Sequence, residues 1–383
     1  KVRPVGRAPG AARPGGEVLS TALRMSSRQM SSTILTSERG GKTDDESSRS
    51  SDGEDNTGAE DVLHHEYEPL EESVYGWAVS MIVRDIVWLN VGTSVPMGRA
   101  ARVIDALLVV IGTILLQVFL LLAVSRLLSA PAVASIREVY GEYEMLMYPN
   151  HTQLTVNGFA RGVPGYMQEE RFLLMKNETA KTVCQIPLSH PWYLMSIIFI
   201  WTMTCQVELR TIFESAVRLL WVTPIVRSAS EVIRSEEEEE GAVHVDGLTC
   251  LMKVVIGFLV LLPRTMTLLS LLWLGGRWLT ATLGLGDVLL NGLALEFLVI
   301  LKELLYNVCI SHRTRVDTQR LLVKPFLETD QATFSSFFEG KVWGILSAAW
   351  AVLYVYQFQL VLPDYRWDLR VPCGKYIPVG PLM

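Results

Sequence analysis

No basic stripe interleaved with aromatic residues runs through this chain, so nothing in it points to nucleic-acid binding. A secretory signal peptide is also missing at the start, and the first apolar segment is expected to serve as the insertion signal. The spacing of a zinc helix is absent: in His64-His65-Glu66 the two adjacent histidines point away from each other. The fragment Gly40-Gly41-Lys42-Thr43 lacks the earlier glycine of a phosphate-binding loop, because Thr36 occupies that position. There is no potassium-filter sequence, no regular arginine ladder and no pair of Gly/Pro-broken repeats. No metal, cofactor or nucleic-acid partner is therefore expected.

What the chain does have is apolar sequence in blocks. Half of its 383 residues are hydrophobic, and the mean hydropathy is +0.29. Long apolar runs override the soluble-domain expectation that this length would otherwise carry. The net charge of -6 comes largely from two acidic clusters. Residues 1–62 read as a disordered tail, since the run TDDESSRSSDGEDNTGAED cannot bury enough apolar surface to offset its ordering entropy. Residues 1–24 read as upstream or fragment-edge sequence ahead of a start at Met25, and the Arg/Ser-rich, acid-poor first 42 residues carry a trace of transit-peptide composition.

From Leu70 to Val91 the pattern predicts an amphipathic helix, with Val74, Trp77, Met81, Ile82 and Trp88 near one face, lying in the membrane interface. The first span is expected from Ile104 to Leu127, where Gln117 is the only strongly polar residue. Residues 129–191 read as a polar outer loop holding two sequons, at Asn150 and Asn177, beside Cys184. The second span starts at Trp192 or Tyr193 and leaves the bilayer near Val207–Thr211. There Arg210, Glu214 and Arg218 can pair at four-residue spacing on a solvated extension that also carries Gln206 and Glu208. Residues 223–247, with the run Glu236–Glu240, read as an acidic cytoplasmic linker. After the stretch 248–310 comes a basic cytoplasmic loop, 311–340, with Arg313, Arg315, Arg320 and Lys324. The last span and an outer tail occupy 341–383.

Residues 248–310 form a charged transmembrane hairpin. Arg264 sits in its first helix, and Asp287, Glu296, Lys302 and Glu303 sit in its second. A charge at mid-bilayer costs about 2.5–3.5 kcal/mol on insertion scales, so it is expected to be paired or functional. If the two helices run antiparallel, Arg264 and Glu296 lie at equal depth, and the pattern predicts a buried ion pair between them. A split at Pro263 into two half-helices would reverse everything downstream. On a helical wheel Asp287, Asn291 and Lys302 share one face, with Glu296 and Glu303 roughly opposite. That polar face reads either as interhelical glue or as a path for an ion or substrate. Cys184 and Cys373 both fall outside in this topology and are expected to form a disulfide.

The motif Gly284-Leu285-Gly286-Asp287, within LGLGDVLL, resembles the GxGD motif of presenilin and signal-peptide-peptidase type intramembrane aspartyl proteases. That resemblance implies a second aspartate, because one carboxylate must be ionised while its neighbour stays protonated. The family carries it in a Tyr-Asp pair on the preceding span, which here has no aspartate. The other membrane aspartate is Asp105, at the opposite end of its span, and the family's Pro-Ala-Leu is replaced by Pro131-Ala132-Val133 in a loop. A broader stretch, Arg277-Trp278-Leu279 through Leu305, is similar to a segment of uncharacterised multi-pass membrane proteins of dinoflagellate-type protists, and this resemblance implies a topology and no activity.

The sequence thus predicts an all-α polytopic membrane helix bundle of about five spans, with the N-terminus cytoplasmic and the C-terminus outside or lumenal. Its expected partners are the lipid bilayer and other membrane proteins, or further copies of itself. The expected function is a non-enzymatic interaction or accessory subunit; the alternatives are an ion channel or transporter using the charged hairpin, and the GxGD-type protease.

Overall fold

In the computed structural model the described residues are 67–90, 96–156, 158–234, 243–325, 334–363 and 365–374; the side chains of 88–90, 96 and 334–340 are not among them. The tail 1–62, His64-His65-Glu66, the run Glu236–Glu240, residues 326–333 and everything after Gly374 lie outside the described residues.

The fold is mostly helical. Helix α1 spans Val74–Asn90 and α2 spans Pro96–Ala123. A π-helical turn, Val124–Ser129, carries α2 directly into α3, Ala130–Met147. The short α4, Asn177–Cys184, precedes α5, Pro191–Ala216, which opens with proline in its first turn, where the missing N–H costs nothing. Then come α6, Cys250–Ile256, and α7, Leu262–Ala281, joined by a π-helical turn at Gly257–Leu261. The Thr249 side chain caps α6 by accepting from the Met252 N–H. Helix α8 is Leu285–Cys309, α9 is His312–Gln319 and α10 is Phe334–Leu353.

Among the described residues, three helical stretches are long and apolar enough to cross a membrane: Met97–Met147, Pro191–Val222 and Cys250–Ala281. The third runs unbroken through Pro263. The π-helical turn just before it absorbs the lost hydrogen bond, so the proline does not divide the helix. The first, at 51 residues, is about 76 Å long, more than twice a bilayer's hydrocarbon thickness. Its second half, α3, is where a loop was expected. Val133, Ile136, Tyr140, Tyr143 and Met147 are buried at helical spacing, which explains the helix, and Arg137, Glu138 and Glu142 mark it as polar.

Two further expectations change. The helix at 70–91 does not present one face to an interface. Val74, Tyr75, Trp77, Val79 and Ser80 point in different directions round the helix and are all buried, and a helix buried all round belongs inside a bundle. Nor is the fold purely α. Strands β1 (Glu68–Pro69), β4 (Ile233–Arg234), β5 (Val243–Val245) and β6 (Leu321–Val323) form a sheet in the order β1-β6-β5-β4. The β5–β6 pair is parallel and the other two pairs are antiparallel. The parts of the acidic linker and basic loop that form it carry short β-branched or leucine runs, which suit a half-buried strand. A separate hairpin joins β2, Thr152–Leu154, to β3, Ala160–Gly162.

The core has two parts. One lies among α1, α2, α5, α7 and α8 and extends into the sheet through Val245, Leu321 and Val323. The other packs α3 and α4 against the C-terminal segment, with Tyr143, Leu188 and Leu369 at its centre. Helix α8 runs from beside the end of α4 to the sheet. At its start the Gly284 N–H donates to the Gln185 carbonyl, and after its end Ile310 and α9 lead into β6. Its 25 residues span about 37 Å, enough to cross a bilayer.

Candidate functional site

Arg264 is 3% exposed, in the first turn of α7. A guanidinium so placed needs its donors satisfied. Its Nε and Nη2 donate to Glu208 Oε1 at 2.9 and 2.6 Å. Its Nη1 and Nη2 donate to Glu71 Oε1 and Oε2 at 2.6 and 3.1 Å. Glu208 comes from α5, and its second oxygen accepts from Nζ of Lys302 on α8. The Ser73 hydroxyl donates back to Glu71, just ahead of α1. The Tyr75 ring lies 4.8 Å from the Arg264 guanidinium carbon, in cation–π geometry, and its hydroxyl donates to Gln117 Oε1 on α2 at 3.0 Å. Five structural segments thus meet at one point.

The quartet balances: Arg264 and Lys302 against Glu71 and Glu208. In a low-dielectric interior each charge is tolerable only with its partners in place. Beside the quartet lies a cavity of ≈ 30 Å³, lined by Tyr75, Gln117, Glu208, Arg264, Lys302 and the apolar Leu298 among others. That is room for about two water molecules, with polar groups to hold them.

No family model, curated protein or solved structure matches the chain. The chemistry of the site rests on its own geometry.

The expected Arg264–Glu296 pair is absent. Arg264 turns toward α5 and α1, whereas Glu296 is half-buried elsewhere on α8. Equal depth is necessary for a pair, but the direction round the helix decides it, and Lys302 is the α8 residue that reaches the cluster. Asp287, Asn291 and Lys302 do not share one environment. Asp287 is exposed in the first turn of α8, where a carboxylate suits the helix dipole. Asn291 is half-buried and donates from Nδ2 to Thr282 Oγ1 at 2.9 Å. Lys302 is buried. The glycine of Gly284-Leu285-Gly286-Asp287 also has a local reason: Gly284 has φ 96°, which a side chain would strain, in the turn that starts α8. Asp105 is exposed on α2.

The sequence pattern places Glu208 on a solvated extension, and the structure corrects this by burying it. A signal was available. Arg210 and Glu214 pair at 2.6 Å as four-residue neighbours, while Glu208 has Thr204 and Ile212 at that spacing and so needs a partner from another helix. Arg218 leaves the ladder as well. Its guanidinium donates to the Glu68 carbonyl at 2.9 Å and the Lys324 carbonyl at 3.2 Å, which ties the π-helical turn after α5, Val217–Val222, to the edge of the sheet. Glu71, Tyr75 and Gln117 gave no sequence signal for their roles.

Cys184 and Cys373 are joined by a disulfide with Cα atoms 5.4 Å apart. Cys205 is buried and free; Cys250 and Cys309 are exposed and free. Asn150 and Asn177 are exposed. Among the described residues there is no group of three or more His, Cys, Asp or Glu that could hold a metal ion.

Proposed function

We propose that this chain is a five-span membrane protein acting as a non-enzymatic interaction or accessory subunit, in company with other membrane proteins or further copies of itself. The single observation that supports this best is the closed quartet, in which every charge is matched and spent on joining helices. A catalytic or conducting group would be left free to react or to bind. The spans are α2, α5 and the continuous α6–α7 helix, which are the apolar parts of the three long helices, plus α8 and α10, and α3 with the disulfide-tied unit stands outside the bilayer. Exposed Ile104, Leu108, Leu115, Phe119 and Leu122 give α2 an apolar face for lipid or a partner helix. The N-terminus and the sheet lie on the cytoplasmic side. The disulfide, the glycosylated Asn150 and Asn177 and the C-terminus lie outside or in a lumen.

A second reading, ion or proton transport, draws on the ≈ 30 Å³ cavity lined by Glu208, Arg264 and Lys302. Flux assays on purified protein in liposomes separate the two. The accessory reading expects cation and proton flux no greater than in empty liposomes. Flux that disappears in Lys302→Met would overturn it. The topology is tested by glycosidase-sensitive gel shifts, lost stepwise in Asn150→Gln and Asn177→Gln.

A further inference from the structure

A second buried polar cluster lies in the disulfide-tied unit, where the C-terminal segment crosses α3. Arg137 Nε donates to the Val361 carbonyl and Nη2 to the Leu360 carbonyl, both at 2.7 Å. The Arg366 N–H donates to the Tyr140 hydroxyl at 2.9 Å, and Arg366 Nη2 donates to the Gly162 carbonyl on β3 at 2.8 Å. The Tyr148 hydroxyl donates to Asp368 Oδ2. The segment then ends at Cys373, bonded to Cys184.

Two carboxyls in this crossing are incompletely satisfied. Glu144 on α3 is 1% exposed, and its Oε1 has no hydrogen-bond partner. It lines a cavity of ≈ 20 Å³ with Arg137, Tyr140, Phe159 and Arg161, space for about one water molecule. Asp368, on the crossing segment, has its Oδ1 buried and unpartnered. An ionised carboxylate with an unsatisfied buried oxygen is costly, whereas a protonated one can donate and carries no charge.

We propose that Glu144 and Asp368 form a proton-operated clasp, which holds the C-terminal segment on α3 when both carboxyls are protonated and loosens as they ionise. The groups facing them are Tyr140 and Tyr143 from α3, Arg161 from β3, Glu169 from the turn after the hairpin, and Tyr365, Arg366 and Arg370 from the segment itself. Burial is the main effect on both acids. It pushes Glu144 up to about 7 against the pull of Arg161 and Arg366, and raises Asp368 above its ordinary value. Because the folded values exceed the unfolded ones, the clasped state binds more protons than the open chain. Its extra stability is present at acid pH and is lost as the pH rises through about 7.

The test is hydrogen exchange of the full-length protein in detergent micelles or nanodiscs, corrected for intrinsic exchange rates, at about pH 5.5 and about pH 8. Residues 361–373 should open about tenfold more at the higher pH, with no such change in α7. The Glu144→Gln, Asp368→Asn double variant should stay closed at both values. As a second measurement needing no variant, phosphine reduction of the Cys184–Cys373 bond should quicken over the same range. Equal protection of the wild-type segment at both pH values would overturn the proposal, as would a pH dependence that survives in the double variant.

Discussion

Nη2 of Arg264 lies 2.6 Å from Oε1 of Glu208, across the contact between α7 and α5. Glu208 also holds Lys302, so it is the one group that joins both cations. Glu208→Gln should therefore strand two buried positive charges against the single carboxylate of Glu71, costing about 3–5 kcal/mol. Adding Lys302→Met restores neutrality, because Arg264 and Glu71 then remain as a pair. Thermal unfolding in detergent should place the double variant above Glu208→Gln alone. If the two losses simply add, the quartet is not an energetic unit.

How far the sequence could be read follows the range of the interactions. Three of the five expected spans, the disulfide partners and the Arg210–Glu214 pair depend on composition, on chain position or on four-residue spacing, and these are legible locally. The sequence of α1 points to an interface because its two tryptophans suit an interface as well as a core. Burial is decided by α2, which lies against it with Asp85 and Arg102 as the clasp. The sheet joins residues 68–69, 233–234, 243–245 and 321–323, and no local pattern relates strands so short and so far apart. The charge cluster failed for the same reason. Depth along a helix can be counted from sequence, but the facing direction depends on packing, which gave Arg264 to Glu71 and Glu208 and left Glu296 aside.

The α1–α2 clasp is the next test. Asp85 is 1% exposed and accepts from Arg102 Nε at 3.0 Å and Nη2 at 2.9 Å. The carboxylate is buried and the guanidinium largely exposed, so the two truncations differ. Arg102→Ala removes the fork and leaves the buried Asp85 carboxyl without its partner, at a cost of about 1–3 kcal/mol. Asp85→Asn keeps the volume and part of the hydrogen bonding and should cost less. Unfolding midpoints in the reverse order would show that the ring of surrounding apolar contacts, and not the ion pair, fixes α1.

The disulfide closes a loop across 189 residues, the sequence separation of Cys184 and Cys373. Long closures remove the most entropy from the unfolded chain, and native bridges are commonly worth about 2–5 kcal/mol. Cys373→Ser should lower the unfolding temperature and loosen residues 361–373, while leaving the quartet and the bundle folded. A thiol-labelling assay in denaturant checks the bond directly, because Cys184 is buried in the fold and would be shielded there whether bonded or free. Wild-type protein should show no labelling at Cys184 until reductant is added. Immediate labelling there without reductant would mean that the bond is not formed.

Helix α7 packs on α5 through a missing side chain. A Cβ on Gly275 would lie 2.5 Å from Trp201 Nε1, and that indole N–H donates to the Leu272 carbonyl at 3.3 Å, one turn earlier on α7. The indole is 3% exposed and held by its hydrogen bond, so it cannot swing away cheaply. Close approach of helices at small residues is a common way to gain packing energy where no hydrophobic force acts between them. Gly275→Ala should cost about 1–3 kcal/mol through overpacking. Gly292 on α8 provides the comparison, since its Cβ would meet nothing closer than 3.9 Å. Gly292→Ala should be neutral or slightly stabilising, by about 0.5–1 kcal/mol of helix propensity. Trp201→Phe in the Gly275→Ala background should recover part of the loss by removing the clashing nitrogen and its ring. Equal unfolding temperatures for the two glycine variants would sink the claim that the α5–α7 contact is set by Gly275.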